Sequence, residues 1–172
     1  MSSEALPPDA PPPDALPSND VREEERAVDR AVRALARRDH SATSLRTKLD
    51  RAGLSESAKS AALDVLERAG YVDDARFARD RAAVLADRGY GDAWIRADLE
   101  RQGIDRETAD SALGALEAEP ERALGEAAKA GGGLRALRSL GRRGFSEDAL
   151  EAVAAASVAD DAPEGVGYES SI

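Results

Sequence analysis

The sequence lacks several residue types on which common classes of protein depend. Cysteine is absent, so the chain cannot form disulfides, present a thiolate nucleophile or bind zinc through cysteine. Aromatic residues make up only 3% of the chain, and alanine is the commonest member of its 42% apolar fraction. Such a composition favours many helices with small cores, because alanine is the best helix former but buries little apolar surface.

Long apolar runs are also missing. No stretch of about 18 consecutive apolar residues occurs, and the N-terminus lacks the basic-then-apolar pattern of a secretory signal. The absence of cysteine suits a reducing compartment. We therefore expect a cytoplasmic protein with no membrane-spanning segment.

The net charge of −10 is concentrated at the two ends of the chain. Residues 1–20 and residues 157–172 each carry four acids and no base, so the body between them is almost neutral. A body of this charge does not indicate a protein that binds DNA by bulk electrostatics alone. Arginine far outnumbers lysine, which suits forked recognition of carboxylates or phosphates but also arises from a GC-rich genome.

The body contains a repeat of helix, closing glycine, apolar residue and helix cap. The pattern Leu45-x3-Leu49-x3-Gly53-Leu54-Ser55 recurs as Ile95-x3-Leu99-x3-Gly103-Ile104-Asp105, 50 residues later, and as Ala136-x3-Leu140-x3-Gly144-Phe145-Ser146, 41 residues after that. Apolar residues one turn apart form a stripe on a helix, and glycine closes the helix in the left-handed conformation. The sequence therefore predicts an all-α fold of three tandem three-helix repeats, over residues 20–70, 71–119 and 120–156.

The ends of the chain do not fit this pattern. Residues 1–19 are rich in proline and alanine, and residues 157–172 are acidic and polar. Neither segment has an apolar face to bury, so we expect both to be disordered.

The hinge between the first two units lies at residues 70–78. Gly70 is placed to close one helix, and Tyr71 follows it in the turn. Asp73 is placed to cap the next helix, and Asp74 adds negative charge to its first turn. Phe77 follows four residues after the cap, which predicts a staple-like contact with Val72. By similar reasoning Asp20, with Glu23 in a capping box, and Asp92 are predicted to cap other helices.

Evidence for enzyme chemistry is weak. His40, the single histidine, lies beside Asp39 in a helix-breaking turn and is interpreted as solvated. The adjacent acids Asp73 and Asp74 are interpreted as caps rather than a magnesium site. Gly131-Gly132-Gly133 lacks the lysine of a phosphate-binding loop and is interpreted as a flexible joint. We predict no enzyme activity, no metal and no cofactor.

The second and third helices of each unit are similar to a helix-turn-helix, which would make the third helices DNA readers. Acids on those helices argue against this, since they would repel phosphate: Glu107, Asp110, Glu147, Asp148 and Glu151. Bases cluster instead on the second helices: Arg46, Lys48, Arg51, Arg96, Arg101, Arg135, Arg138, Arg142 and Arg143. These bases indicate either solvated helix faces or a discontinuous partner-binding stripe.

Over about residues 27–156, and most specifically in the middle unit, the chain resembles the RecX family of regulators of the RecA recombinase. The resemblance is carried by Gly70-Tyr71-Val72-Asp73-Asp74-Ala75-Arg76-Phe77-Ala78, Arg88-Gly89-Tyr90-Gly91, Leu99-x3-Gly103-Ile104, Ser44-Leu45-Arg46-x-Lys48-Leu49 and Arg142-Arg143-Gly144-Phe145-Ser146. It implies an elongated, curved array of three-helix units that binds RecA filaments on DNA. It further implies restraint of ATP hydrolysis, strand exchange and coprotease action, and hence a role in recombinational repair and the SOS response.

The candidate partner-binding residues combine the basic stripe with the arginines of these motifs. They are Arg46, Lys48, Arg51, Arg76, Arg88, Arg96, Arg101, Arg138, Arg142 and Arg143. We expect a monomer that binds the filament. A helical array that binds DNA directly remains the alternative. The chain departs from the family pattern at the glycine tract 131–133, where a more basic stretch is expected, and in its acidic N-terminal tail.

Overall fold

A computed structural model describes residues 18–160 of the chain. The expected disorder of residues 1–17 and 161–172 concerns segments outside these described residues. Within residues 18–160 the fold is all-α, as predicted. Its helices are α1 (Asn19–Leu35), α2 (Ala42–Asp50), α3 (Glu56–Arg68), α4 (Asp74–Asp87), α5 (Asp92–Arg101), α6 (Arg106–Gly114), α7 (Glu119–Lys129), α8 (Gly133–Arg142) and α9 (Glu147–Asp160).

The helices pack in three groups of three, each around its own small core. The first helix of every unit buries two alanines spaced four residues apart, which lets neighbouring helices approach closely. These alanines are Ala27 and Ala31, Ala78 and Ala82, and Ala123 and Ala127. The second helix of every unit buries the apolar pair that defined the repeat in the sequence. The glycines that follow these pairs have φ of 71° at Gly53, 81° at Gly103 and 83° at Gly144. The predicted repeat is therefore confirmed.

The hinge contributes one apolar side chain to the core of the first unit and another to the core of the second. Gly70 has φ of 73°, and the Tyr71 and Val72 N–H groups both donate to the Leu66 carbonyl, at 2.9 Å and 3.2 Å. This closes α3 with a left-handed glycine. Val72 is buried in the core of the first unit, whereas Phe77 is half-buried and packs against the core of the second. The two side chains therefore do not form the staple that we expected.

Several predicted helix caps are correct and two are wrong. Asp73 accepts a hydrogen bond from the Arg76 N–H at 2.8 Å, and Asp105 accepts one from the Thr108 N–H at 2.8 Å. At α1, however, the cap is Ser18 rather than Asp20. At α5 the cap is Gly91, and Asp92 is the first helical residue. The C-terminal helix α9 also continues to Asp160, past the boundary predicted at residue 156.

Successive units are joined by a carboxylate that caps a helix of the preceding unit. Asp74, the first residue of α4, accepts a hydrogen bond from the Ala42 N–H at the start of α2 (2.8 Å). Glu119, the first residue of α7, accepts one from the Asp92 N–H at the start of α5 (2.7 Å). These N–H groups have no intrahelical partner, and the positive end of the helix dipole favours an anion there. Each joint therefore supplies an acceptor to an N–H group at a helix terminus of the preceding unit.

A second contact at each joint also repeats. The Ser41 hydroxyl at the start of α2 donates to the Gln102 carbonyl, and the Gly91 N–H at the start of α5 donates to the Arg143 carbonyl at 2.9 Å. Gln102 and Arg143 occupy the same place in the repeat, directly before the closing glycine of a second helix. The two joints therefore share one geometry, which fixes each unit against the next.

The acid that forms the joint belongs to the repeat itself. Glu23, Asp74 and Glu119 each lie four residues before the first buried alanine of their helix. Glu119 also accepts the Ser146 N–H at the start of α9 (3.3 Å), and Glu23 accepts the Ser55 N–H at 3.1 Å and binds the Ser55 hydroxyl at 2.8 Å. Glu23 is thus not half of a capping box, as predicted, but holds α1 against the start of α3.

Candidate partner-binding surface

The candidate cations of α2 differ in how far they are neutralised. Arg46 lies 2.9 Å from a Glu56 carboxylate oxygen and also contacts the Ser60 hydroxyl at 3.4 Å, so it ties α2 to α3. Lys48 and Arg51 are exposed and form no ion pair within the described residues. In the first unit, Lys48 and Arg51 are therefore the candidates of α2 that are available to a partner.

The candidates of the middle unit are engaged within the protein. Arg96 pairs with Asp110 at 2.9 Å, in the same way that Arg46 ties α2 to α3. Arg101 pairs with Asp98 at 3.1 Å and lies over the Trp94 ring, 5.5 Å from its centroid. Asp98 is buried and also pairs with Arg81. The middle part of the predicted stripe therefore has much of its charge neutralised by carboxylates of its own unit.

The third unit also contains both cations that form ion pairs and cations that are exposed. Arg143 is half-buried and pairs with Glu126 at 2.9 Å. Glu126 also binds Lys129, and these two hydrogen bonds, that of Lys129 above all, hold the pKa of the Glu126 carboxyl below its usual range. Arg138 and Arg142 are exposed on α8 and form no ion pair among residues 18–160. Arg142 occupies the place in the repeat that Arg51 occupies in the first unit, whereas Arg138 aligns with Thr47.

The two candidates from the motifs of the middle unit have different environments. Arg76 donates to the Gly70 carbonyl from both terminal nitrogens, each at 3.2 Å, and so closes the hinge between α3 and α4. The hydrogen bond from the Arg76 N–H also lowers the pKa of Asp73. Arg88 is exposed directly after α4, with no ion pair in the described part of the chain. Arg76 therefore has a structural role, whereas Arg88 is available at the surface.

Sequence reasoning missed the cations of α1. Arg26, Arg30, Arg33 and Arg37 follow one another at intervals of four, three and four residues, which places them along one face of the helix. With Lys48 and Arg51 they line a groove between α1 and α2. The spacing itself could have revealed this line of charge, but the pairing of α1 with α2 could not be read from it.

His40 lies at the base of this groove, and its predicted solvation is wrong. The residue is 4% exposed, and its Nδ1 lies 3.1 Å from the Ser44 hydroxyl. Burial, with smaller contributions from the charges of Arg38 and Lys48, holds the pKa of the His40 imidazole below its usual range. The histidine is therefore a neutral part of the packing between the end of α1 and the start of α2.

The described residues offer no clear metal or membrane site. Between residues 18 and 160, no group of three or more histidine and carboxylate side chains is arranged to hold a metal ion. In the same range, no helix is both long enough and apolar enough to cross a membrane. The candidate surface that remains is the set of exposed cations in the first and third units, together with Arg88 in the middle unit.

Comparison with known proteins identifies the family of this chain. The family described as RecX, second three-helix domain, matches residues 73–113, which are the middle unit. The Regulatory protein RecX of Stenotrophomonas maltophilia (strain R551-3) is 35% identical over 137 residues, which cover 74% of this chain and 84% of the relative. The chain belongs to the RecX family. The resemblance found in the sequence is thus confirmed.

Other members of the RecX family support the same assignment. The Regulatory protein RecX of Xanthomonas axonopodis pv. citri (strain 306) is 43% identical over 97 residues, which cover 55% of this chain and 58% of the relative. The crystal structure of RecX from Lactobacillus salivarius has a TM-score of 0.69 at 19% identity, covering 79% of this chain and 97% of that one. A second crystal structure of a regulatory protein RecX has a TM-score of 0.67 at 21% identity, covering 79% of this chain and 73% of that one. These structures show that the three-helix repeat is the RecX fold.

Proposed function

We propose that this RecX-family protein regulates RecA by binding RecA filaments on DNA. In this proposal it restrains ATP hydrolysis, strand exchange and coprotease action, and so acts in recombinational repair and the SOS response. It acts in the cytoplasm as a non-enzymatic monomer without a cofactor. The observation that carries the proposal is that exposed, unpaired cations lie in the first and third units of an array whose joints are fixed by repeated hydrogen bonds.

The repeated joints support a multivalent mode of binding. A filament presents the same protomer surface again and again, and an array with fixed joints presents its own surfaces at a fixed separation. Once one unit is bound, the next binds at a high effective concentration, so several weak contacts add to a strong one. Loss of the cations of either end unit should therefore weaken binding far more than a single surface contact would.

Of the exposed candidates that form no ion pair within residues 18–160, we assign those of the first and third units to filament contact. These are Lys48 and Arg51 in the first unit, and Arg138 and Arg142 in the third. Forked arginine suits carboxylates on a protein surface, and lysine supplies a point charge. Arg46, Arg96, Arg101 and Arg143 instead hold their helices together. We accordingly remove these four, together with Arg76, from the set of direct contacts.

The test is the ATPase rate of RecA on single-stranded DNA, with co-sedimentation of the protein and the filaments. We expect the variants Lys48→Glu/Arg51→Glu and Arg138→Glu/Arg142→Glu each to lose at least about tenfold in apparent affinity, since a reversed charge repels what it formerly attracted. The matched control is Arg68→Glu/Arg79→Glu, which makes the same charge change at exposed positions of α3 and α4. If all three double variants regulate RecA equally, the assigned surface is wrong.

A further inference from the structure

The groove between α1 and α2 is lined largely by cations. One wall carries Arg26, Arg30 and Arg33 from α1 and Arg37 from the turn after it, and the other carries Lys48 from α2 and Arg51 directly after it. It encloses about 880 Å³. Residues 26–54, which build it, contain eight bases and three acids, although the body of the chain as a whole is nearly neutral.

Little of this charge is neutralised from within. Asp29 is the single acid that lines the groove, and its carboxylate lies 2.8 Å from Arg33. The other five wall cations form no ion pair within residues 18–160. Cations that face one another across a groove without carboxylates repel each other, so an anion that enters the groove relieves this repulsion.

We propose that this groove binds the sugar-phosphate backbone of a nucleic-acid strand. The cations of α1 recur about once per helical turn, or every ~5.4 Å, and so form a line. A nucleic-acid strand is a linear polyanion with one charge per ~3.4 Å of rise, which matches a line of charges better than a compact anion does. Arginine binds phosphate oxygens through two parallel hydrogen bonds, and α1 supplies arginine at each of its wall positions.

The floor of the groove favours phosphate over an acidic peptide. Leu45 and Leu49 line the floor but are fully buried, so no apolar pocket is open to the anchoring side chain that a peptide needs. No phenylalanine, tyrosine or tryptophan lines the groove, and His40 at its base is buried, so bases have no platform on which to stack. Binding should therefore depend on the backbone and be independent of base sequence.

This site shares Lys48 and Arg51 with the proposed filament contact, but it requires no RecA. It explains how a protein of negative net charge could hold a strand: the phosphate contacts are confined to one groove of the first unit. Arg30 in α1 and Arg37 just after α1 are exposed and are not among the residues assigned to the filament, so their substitution tests the groove without touching that assigned surface.

The test is fluorescence anisotropy of labelled single-stranded oligonucleotides, without RecA, across a series of salt concentrations. We expect Arg30→Glu/Arg37→Glu to weaken binding at least tenfold and to reduce the slope of log affinity against log salt by about 1.4, since each lost phosphate contact removes about 0.7. Arg30→Lys/Arg37→Lys should keep most of the salt slope. The Arg68→Glu/Arg79→Glu control, equal in charge, should bind nearly as the wild type does.

Several results would overturn the proposal. Equal losses in the groove variant and in its charge-matched control would show that binding is bulk electrostatics. Competition by poly-glutamate as strong as that of an oligonucleotide of equal charge would show a general anion surface. A strong preference among oligonucleotides of different base composition would place the contacts elsewhere. Thermal melts show whether each variant is folded. The variant Lys48→Glu/Arg51→Glu changes the opposite wall and should also lose affinity for the oligonucleotide; unchanged affinity would contradict the proposal.

Discussion

At the scale of single residues, one carboxylate has a large effect because it serves two helices in two units. Glu119 accepts the Asp92 N–H at 2.7 Å and the Ser146 N–H at 3.3 Å, so it caps α5 of the second unit and the start of α9 in the third. Burial is the main cause that raises the pKa of the Asp92 carboxyl, and the negative charge of Glu119 raises it further. The positive charge of Arg122 acts in the opposite direction. Arg122 also donates to the Tyr90 carbonyl at 3.1 Å, so the same joint is held from a second residue of α7.

Glu119→Ala should lower the free energy of unfolding by about 1–3 kcal/mol, because the partly buried Asp92 N–H and the more exposed Ser146 N–H both lose their acceptor. The measurement is chemical denaturation at neutral pH. The control is Glu121→Ala, which removes an exposed acid from the same first turn of α7 and leaves both N–H groups bonded. A similar loss in the two variants would mean that Glu119 acts only on the helix dipole.

His40 should make stability depend on pH between about 7.5 and 5.5. The unfolded histidine takes up a proton near its ordinary pKa of about 6.5, whereas folded His40 has a lower pKa and takes up its proton at a lower pH. The unfolded state therefore binds more protons, and stability falls as the pH drops through this range. Denaturation at pH 7.5 and 5.5 should show a smaller loss for His40→Gln than for the wild type. Equal losses would show that folded His40 accepts the proton freely.

At the scale of elements, the joints depend on the close approach of one backbone to another. A Cβ at Gly91 would lie 2.3 Å from the Gly144 carbonyl carbon, at the point where the start of α5 meets the turn before α9. Backbone atoms cannot yield as a flexible side chain can. The third unit has Gly132 at the place in the repeat that Ser41 and Gly91 occupy in the first and second, and α8 begins without a side-chain cap. The first and second units use this position to contact the unit that follows them. The glycine tract lies at the same position in the third unit, after which the structure describes no further unit.

Gly91→Ala should destabilise the protein, because the added methyl separates the second and third units. Gly125→Ala provides the opposite case, since Gly125 is exposed in the middle of α7 and a Cβ there meets nothing within 4 Å. It should stabilise the protein by about 1 kcal/mol, the difference in helix propensity between glycine and alanine. Thermal melting followed by circular dichroism measures both. Stabilisation by Gly91→Ala would contradict the close packing at this joint.

At the scale of the whole molecule, stability is divided among three small cores and the joints between them. Each core is built largely from alanine and a few leucines. In a tandem array, the stability is approximately the sum of the unit stabilities and the terms between neighbours. Units with such small cores depend strongly on the neighbour terms, so the joints decide whether the chain unfolds as one body.

Combining Gly91→Ala with Glu119→Ala should uncouple the third unit from the other two. Urea unfolding of this variant should broaden or separate into two transitions, with a lower apparent m-value than that of the wild type, because less surface is exposed in each step. The control is the combination of Gly125→Ala with Glu121→Ala, which alters the same helix away from the joint. An unchanged m-value in the joint variant would show that the third unit is coupled to the rest by other contacts.

The local features of the fold could be read from the sequence because they depend on neighbouring residues. A closing glycine, an apolar residue and a cap occupy three consecutive positions. The roles of Gly103, Ile104 and Asp105 can therefore be predicted from the sequence without knowledge of the fold. The burial of individual apolar residues could not be read in this way. Val32, Val65 and Leu134 are 45%, 43% and 71% exposed, because much of each unit's interface is made by alanine.

The sequence by itself therefore determined that the chain is an array of three-helix units of the RecX type, since helix caps, glycine turns and apolar spacing are local and repeat. Only the tertiary structure decided which cations are free. Arg96 and Lys48 look alike in the sequence, but Arg96 meets a carboxylate of the facing helix, whereas Lys48 faces a groove lined with arginine. The availability of a charge depends on what the fold brings opposite to it, and the groove and the joints bring together residues that lie far apart in the chain.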